Sequence, residues 1–116
     1  MSDPLLELRD ALRVFAAERD WDQYHSPRNL ATALAVEAAE LLEPFQWLDE
    51  EQSRNLPPET RAAVEQEMAD VLLYLVRLAD RLDVDLAAAA RAKIVKNGEK
   101  YPVEKARGSS RKYDEL

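Results

Sequence analysis

An all-α fold is predicted for this 116-residue chain by three observations. Four stretches repeat their apolar residues with helical period. Proline stands at the opening of three of them, where its missing N–H costs a helix nothing. Only two glycines occur, Gly98 and Gly108, too few for the tight turns of a β architecture.

The first helix opens at Asp3-Pro4, a cap followed by a first-turn proline, and carries Leu5, Leu8, Leu12 and Phe15 on one face to about Arg19. A connection holding Trp21, Tyr24 and His25 follows. Ser26-Pro27 restarts the chain as cap and first-turn residue of a second helix, which Pro44 stops near Glu43, leaving Phe45, Gln46 and Trp47 just beyond. The polar segment LDEEQSRNLPPE reads as a surface loop with room for a short helical turn. Pro57-Pro58 opens the longest helix, about Glu59 to Leu82, with Val64, Met68, Val71, Leu75, Leu78 and Leu82 among its apolar positions. A fourth helix starts at Val84-Asp85 and is expected to end in a left-handed cap at Asn97-Gly98. Residues 1–102 then form one domain, and residues 103–116 an extended basic tail. Short connections between four helices imply a bundle.

Composition narrows the function classes. Apolar residues make up 47% and charged ones 34%, which suits a folded helical protein. The absence of cysteine removes disulfides, zinc ribbons and thiol catalysis and fits a cytoplasmic address. No apolar run approaches a membrane span of about 20 residues, and MSDPLLELRD has no signal-peptide pattern. A net charge of −7 argues against a nucleic-acid partner. The charge is uneven, since Arg91 to Leu116 hold eight of the sixteen Lys and Arg but four of the twenty-three acids. An acidic body with a basic C-terminal segment suits something that brings both metal and phosphate.

The chemistry concentrates in two acidic pairs. Glu37 and Glu40 stand three apart in LAVEAAELLEPFQW, and Glu67 and Asp70 repeat the spacing in EQEMADVLLYLV. Positions i and i+3 share a helix face, so packing the two helices together brings four carboxylates to one point. Glu37 lies in line with Leu30, Leu34 and Leu41, and an acid in a core-facing stripe needs a partner or a metal. Oxygen-only ligands without His or Cys suit a hard cation, Mg²⁺ first and Mn²⁺ as substitute. The bland reading, a solvated acidic face, suffices for either pair alone but not for both.

These residues resemble the MazG-like all-α nucleoside triphosphate pyrophosphohydrolases, and most nearly the dCTP pyrophosphatase branch. The two pairs are separated by 26 residues. Around them stand RDW, SPRNL, FQW and the N-x-x-K-Y-P of Asn97 to Pro102, within phrases that cover almost the whole chain. The resemblance implies a Mg²⁺-dependent house-cleaning enzyme that cleaves a deoxynucleoside triphosphate to monophosphate and pyrophosphate, with dCTP or a modified dCTP favoured. It implies Glu37, Glu40, Glu67 and Asp70 as metal-binding and catalytic acids, and Trp21, Trp47 and Tyr74 as residues enclosing the nucleotide. Lys93, Asn97, Lys100 and Tyr101 match an element that contacts sugar and phosphates, often from another subunit. It also implies a homo-oligomer, a tetramer rather than a dimer. One departure is Leu12, where the animal branch leads one to expect a histidine, so base preference is open. His25, the sole histidine, reads as structural. The alternatives are a broad-specificity triphosphate pyrophosphatase and a non-catalytic helical adaptor. A di-iron bundle would need Glu-x-x-His pairs, and neither acidic pair has one.

Overall fold

The computed structural model describes residues 3–116, which are helices joined by short connections, with no strand among them. The chain divides into two compact units, one reaching to Val84 and the other Asp85–Leu116.

In the first unit each long helix begins where its cap and proline stand. Helix α1, Pro4–Glu18, is opened by Asp3, whose carboxylate accepts from the Leu5 N–H at 2.9 Å. Helix α2, Pro27–Leu42, is opened by Ser26, whose hydroxyl accepts from the Asn29 N–H at 3.1 Å. The LDEEQSRN segment forms a short helix α3, Glu50–Arg54, opened by a reciprocal capping box between Asp49 and Gln52. Helix α4, Pro58–Arg81, is the longest. Ser26→Ala removes the donor's only side-chain partner at the start of α2. It is expected to cost about 1 kcal/mol, a fall in Tm of a few degrees by calorimetry; an unchanged Tm would mean that α2 is held by packing alone.

Two helices end on aspartate rather than glycine. Asp20 and Asp83 adopt φ values of 55° and 56°, the left-handed conformation that Asp tolerates better than most side chains. After α1, Asp20 and Trp21 donate to the Ala17 and Ala16 carbonyls at 3.2 and 2.9 Å. After α4, Asp83 and Val84 donate to the Asp80 and Ala79 carbonyls at 3.1 and 2.8 Å. Both ends are Schellman motifs, and the first pins Trp21 at the close of α1.

Helix α4 is the centre of this unit. It packs along α2 and also against α1. Their contact buries Ala16, Leu30, Val64, Val76 and Ala79, together with one charged residue, Arg77. Outside this core, Val36, Leu42, Met68 and Leu72 remain exposed.

In the second unit the structure corrects two expectations. Helix α5, Leu86–Lys100, runs through Asn97-Gly98 instead of ending there, and Gly98 has no positive φ. Pro102 sets the end: it biases the residue before it away from helical angles, and Tyr101 sits at φ −122°, ψ 67°. The following segment is not simply extended. Pro102 caps a short helix α6, Val103–Ala106, and Tyr113–Glu115 form a 3₁₀ turn. No described helix is long and apolar enough to cross a membrane.

Candidate active site

The packing of α2 on α4 turns two sequence spacings into one cluster. Carboxylate oxygens of Glu37, Glu67 and Asp70 lie within 4.8 Å of one another. Glu40, one turn beyond Glu37, meets both Glu37 and Glu67 carboxyl to carboxyl. Glu37 Oε2 and Glu67 Oε2 are buried with no hydrogen-bond partner, because another carboxyl donates only when it carries a proton. The electrostatics follow. Glu37 is pushed up to about 7, first by its contact with the Glu40 carboxyl, then by desolvation and the charges of Glu40, Asp70 and Glu67. Glu67 is also raised, first by desolvation, then by the charges of Glu40 and Asp70. Clustered carboxylates oppose each other's ionisation until a proton or cation intervenes.

Asp70 also lines a second feature, an open cavity of about 450 Å³, within the usual size of small-molecule sites. Its walls are mostly apolar, with Leu8, Leu12 and Phe15 from α1 and Leu73 from α4. Trp21, Tyr74, His25 and Arg77 supply its other polar groups. The Trp21 ring stands edge-on to Phe15 at 5.7 Å and to His25 at 6.1 Å, so the Schellman turn and two aromatic contacts fix it.

The third feature was not foreseen from the sequence. The Arg77 side chain is only 5% exposed and reaches three partners. It donates from Nη2 to Asp22 at 2.5 Å, from Nη1 to Asp80 at 3.4 Å, and from Nε to His25 Nδ1 at 3.1 Å. Arg13 clamps Asp80 from α1 with two bonds of 2.6 and 2.8 Å, which hold that carboxylate below its ordinary range. The signal was present: Arg77 continues the Asp70, Leu73, Tyr74 face of α4, a cation in an inward stripe.

Of the candidate nucleotide contacts, Trp21 and Tyr74 therefore meet at the cavity beside Asp70, and Trp47 does not. Trp47 is 86% exposed, beyond the 3₁₀ turn Glu43–Phe45 that finishes α2. Lys93, Asn97, Lys100 and Tyr101 belong to the second unit. There Lys93 and Asn97 are exposed on α5, Tyr101 stands edge-on to Tyr113 at 6.2 Å, and the Lys100 ammonium lies 5.1 Å from the centre of the Tyr113 ring.

Fold and site together define a class: an all-α protein with a cation-ready carboxylate cluster, one of whose members, Asp70, also lines an adjoining apolar cavity. The sequence profile of the MazG-like family matches residues 32–116, and the chain belongs to that family. It is 49% identical over 117 residues to human dCTP pyrophosphatase 1 and 48% identical over 117 residues to the mouse protein. Each alignment covers 98% of this chain and 69% of the relative. The crystal structure of a pyrophosphatase from Archaeoglobus fulgidus superposes with a TM-score of 0.82 at 40% identity, covering 88% of this chain and 95% of that one.

Proposed function

We propose that this protein is a Mg²⁺-dependent pyrophosphohydrolase that converts a deoxynucleoside triphosphate, dCTP or a 5-modified dCTP by preference, to the monophosphate and pyrophosphate. The observation that carries the reading is the double placement of Asp70, which belongs to the carboxylate cluster and to the cavity wall. A nucleotide whose base occupies the cavity beside Trp21 has its phosphates directed to the carboxylates. The protein is a nucleoside triphosphate pyrophosphohydrolase, like relatives named dCTP pyrophosphatase 1, and its role is read as nucleotide-pool house-cleaning.

The donor set fits a hard divalent cation. It is all oxygen, and the buried Glu37 and Glu67 oxygens lack any other partner. Glu37, Glu40, Glu67 and Asp70 would hold it. When bound, Mg²⁺ supplies neutralisation of phosphate oxygens and acidification of water. The chain's own residues do the rest. Trp21 stacks on the base, and Tyr74, one helical turn after Asp70, contacts the sugar. Glu37 or Glu40 orients the attacking water and accepts its proton. The crowding that pushes Glu37 up to about 7 without a cation is what a bound cation would relieve. Lys93, Asn97, Lys100 and Tyr101 meet the sugar and phosphates, and Trp47 encloses the nucleotide, in an assembly of several subunits. We read residues 1–102 as the catalytic domain and residues 103–116 as its basic tail.

A homo-oligomer, a tetramer before a dimer, is supported by the exposed Val36 and Leu42 on α2 and Met68 and Leu72 on α4, apolar surface that a second copy would cover. A cytoplasmic location agrees with a soluble substrate and a cysteine-free chain. A broader (d)NTP specificity is the second reading, favoured by Leu12. This apolar side chain lines the cavity and offers no hydrogen bond to a base.

The deciding experiment assays dCTP, 5-methyl-dCTP, dUTP, dTTP, dATP, dGTP and the ribonucleotides for monophosphate and pyrophosphate, with Mg²⁺ and with chelator. Pyrophosphate release that requires Mg²⁺ and is fastest with the cytosine nucleotides is expected. Comparable rates across the panel select the broader reading, and no release from any substrate defeats both. In the same assay Trp21→Ala is expected to raise KM about tenfold, since stacking contributes about 1–3 kcal/mol per base. A KM within twofold of wild type would remove Trp21 from the base site.

A further inference from the structure

Building on the nucleotide reading above, we infer that His25 reads the base: Arg77 locks its imidazole in one tautomer, leaving Nε2–H to donate to an acceptor on the base edge. Every nitrogen of a guanidinium is a donor. Arg77 Nε lies 3.1 Å from His25 Nδ1, so Nδ1 is the accepting nitrogen and the ring proton resides on Nε2.

The lock is rigid from several sides. Arg77 cannot swing away, because it is buried and tied to Asp22 and Asp80, and Arg13 holds Asp80 in turn. Arg81 Nε donates to the His25 carbonyl at 3.1 Å, and the His25 N–H donates to the Asp22 carbonyl at 3.2 Å. Trp21 stands edge-on to the ring. Desolvation and the adjacent Arg77 lower the His25 pKa, with Arg81 acting in the same sense and Asp22 opposing. A second ring proton would have to face the guanidinium N–H.

His25 lines the cavity, and its Nε2 has no partner among the described hydrogen bonds. The wall around it is largely Leu8, Leu12, Phe15 and Leu73. A base entering so apolar a space loses its hydration, and a fixed donor then decides which edge is tolerated. Cytosine offers an acceptor at N3, whereas O2 accepts in cytosine, thymine and uracil alike, so only a contact at N3 separates them. Thymine and uracil carry a hydrogen at N3, which would meet Nε2–H donor to donor. With Nε2–H set against N3, the arrangement selects cytosine by a polar contact that Leu12 cannot make.

As the sole histidine of the chain, His25 gives unambiguous imidazole ¹⁵N resonances. At pH 7.5 the protein is expected to show one tautomer, with Nδ1 bare and Nε2 protonated. The Nε2–H resonance should shift with dCMP and not with deoxyribose 5-phosphate. A tautomer mixture, no shift, or the same shift with both ligands would overturn the inference. Kinetics give the second arm. His25→Asn keeps an acceptor near Arg77 but cannot reach the base. It is expected to lower the ratio of kcat/KM for dCTP over dTTP tenfold or more, mainly through KM for dCTP. His25→Gln restores an N–H at the reach of Nε2 and should keep most of the ratio. An unchanged ratio in His25→Asn, an equal fall for both nucleotides, or a His25→Gln variant no better than His25→Asn would each refute the base contact. If the wild type released no pyrophosphate from any dNTP, the enzymatic reading would fail on its own, and the ¹⁵N arm would still decide whether His25 meets a base.

Discussion

Glu37→Gln is expected to lower pyrophosphate release about 100-fold or more while making the cation-free protein more heat-stable at pH 8. Both effects come from one negative charge. The glutamine keeps the shape of the side chain but removes an anionic oxygen from the cation site. Without a cation, the same substitution relieves repulsion from Glu40, Asp70 and Glu67. The sign follows from the raised pKa. A carboxyl that titrates at about 7 in the folded state and near its ordinary value of 4.5 when unfolded binds its proton more tightly in the native protein. Its contribution to stability is full below about 4.5 and is lost as pH rises through about 7. In chelator, wild-type Tm should therefore fall between pH 4.5 and 7.5, and the Glu37→Gln profile should be flatter there. Mg²⁺ should raise the wild-type Tm at pH 8 by several degrees through binding to the native state alone, and raise the variant's less. Wild-type turnover in Glu37→Gln, or parallel pH profiles for the two proteins, would show that these acids form no functional cluster.

Arg77→Ala is expected to be the most destabilising single change in the first unit, by about 3 kcal/mol, with a fall in Tm on the order of 10–20 °C. The side chain is buried, and its removal leaves Asp80, itself only 10% exposed, with Arg13 as its remaining partner. It also frees the half-exposed Asp22 and opens a void between α4 and the Trp21–His25 turn. Buried pairs that lose one member typically cost about 3–5 kcal/mol. The lower figure applies because Asp22 is 53% exposed. Chemical denaturation measures this directly, and a loss under 1 kcal/mol would mean that the network adds no stability. Acid should weaken the same contacts. Arg13 first, then Arg77 and Arg9, hold Asp80 below its ordinary pKa. The stability it contributes is present above about pH 3.8 and is lost as pH falls through its lower folded value. This window lies below that of Glu37, so the two titrations are separable.

Helix starts were readable because capping is local. An Asp or Ser oxygen meets an N–H two or three residues on, and proline fixes its own φ, so Asp3-Pro4, Ser26-Pro27 and Pro57-Pro58 declare themselves without reference to the rest of the chain. Helix ends were harder. Asn97-Gly98 has the chemistry of a left-handed cap but stays helical, whereas Asp20 and Asp83 adopt that conformation without a glycine to announce it. Ends depend on what the following residues pack against, which a local motif does not contain. The four acids were legible for a related reason. Spacing of three on a helix places two side chains on one face whatever else the helix does.

By itself, then, the sequence determined that the chain is helical, where its helices begin, and that Glu37 with Glu40 and Glu67 with Asp70 project together, since each of these is a matter of one to four consecutive residues. Only tertiary structure decided that α2 lies against α4 closely enough to bury two carboxylate oxygens, that Asp70 borders both the acids and the cavity, and that Arg77 reaches Asp22 and His25 across more than fifty residues. Those facts depend on helix crossing and side-chain burial, and no local pattern encodes which two faces will meet.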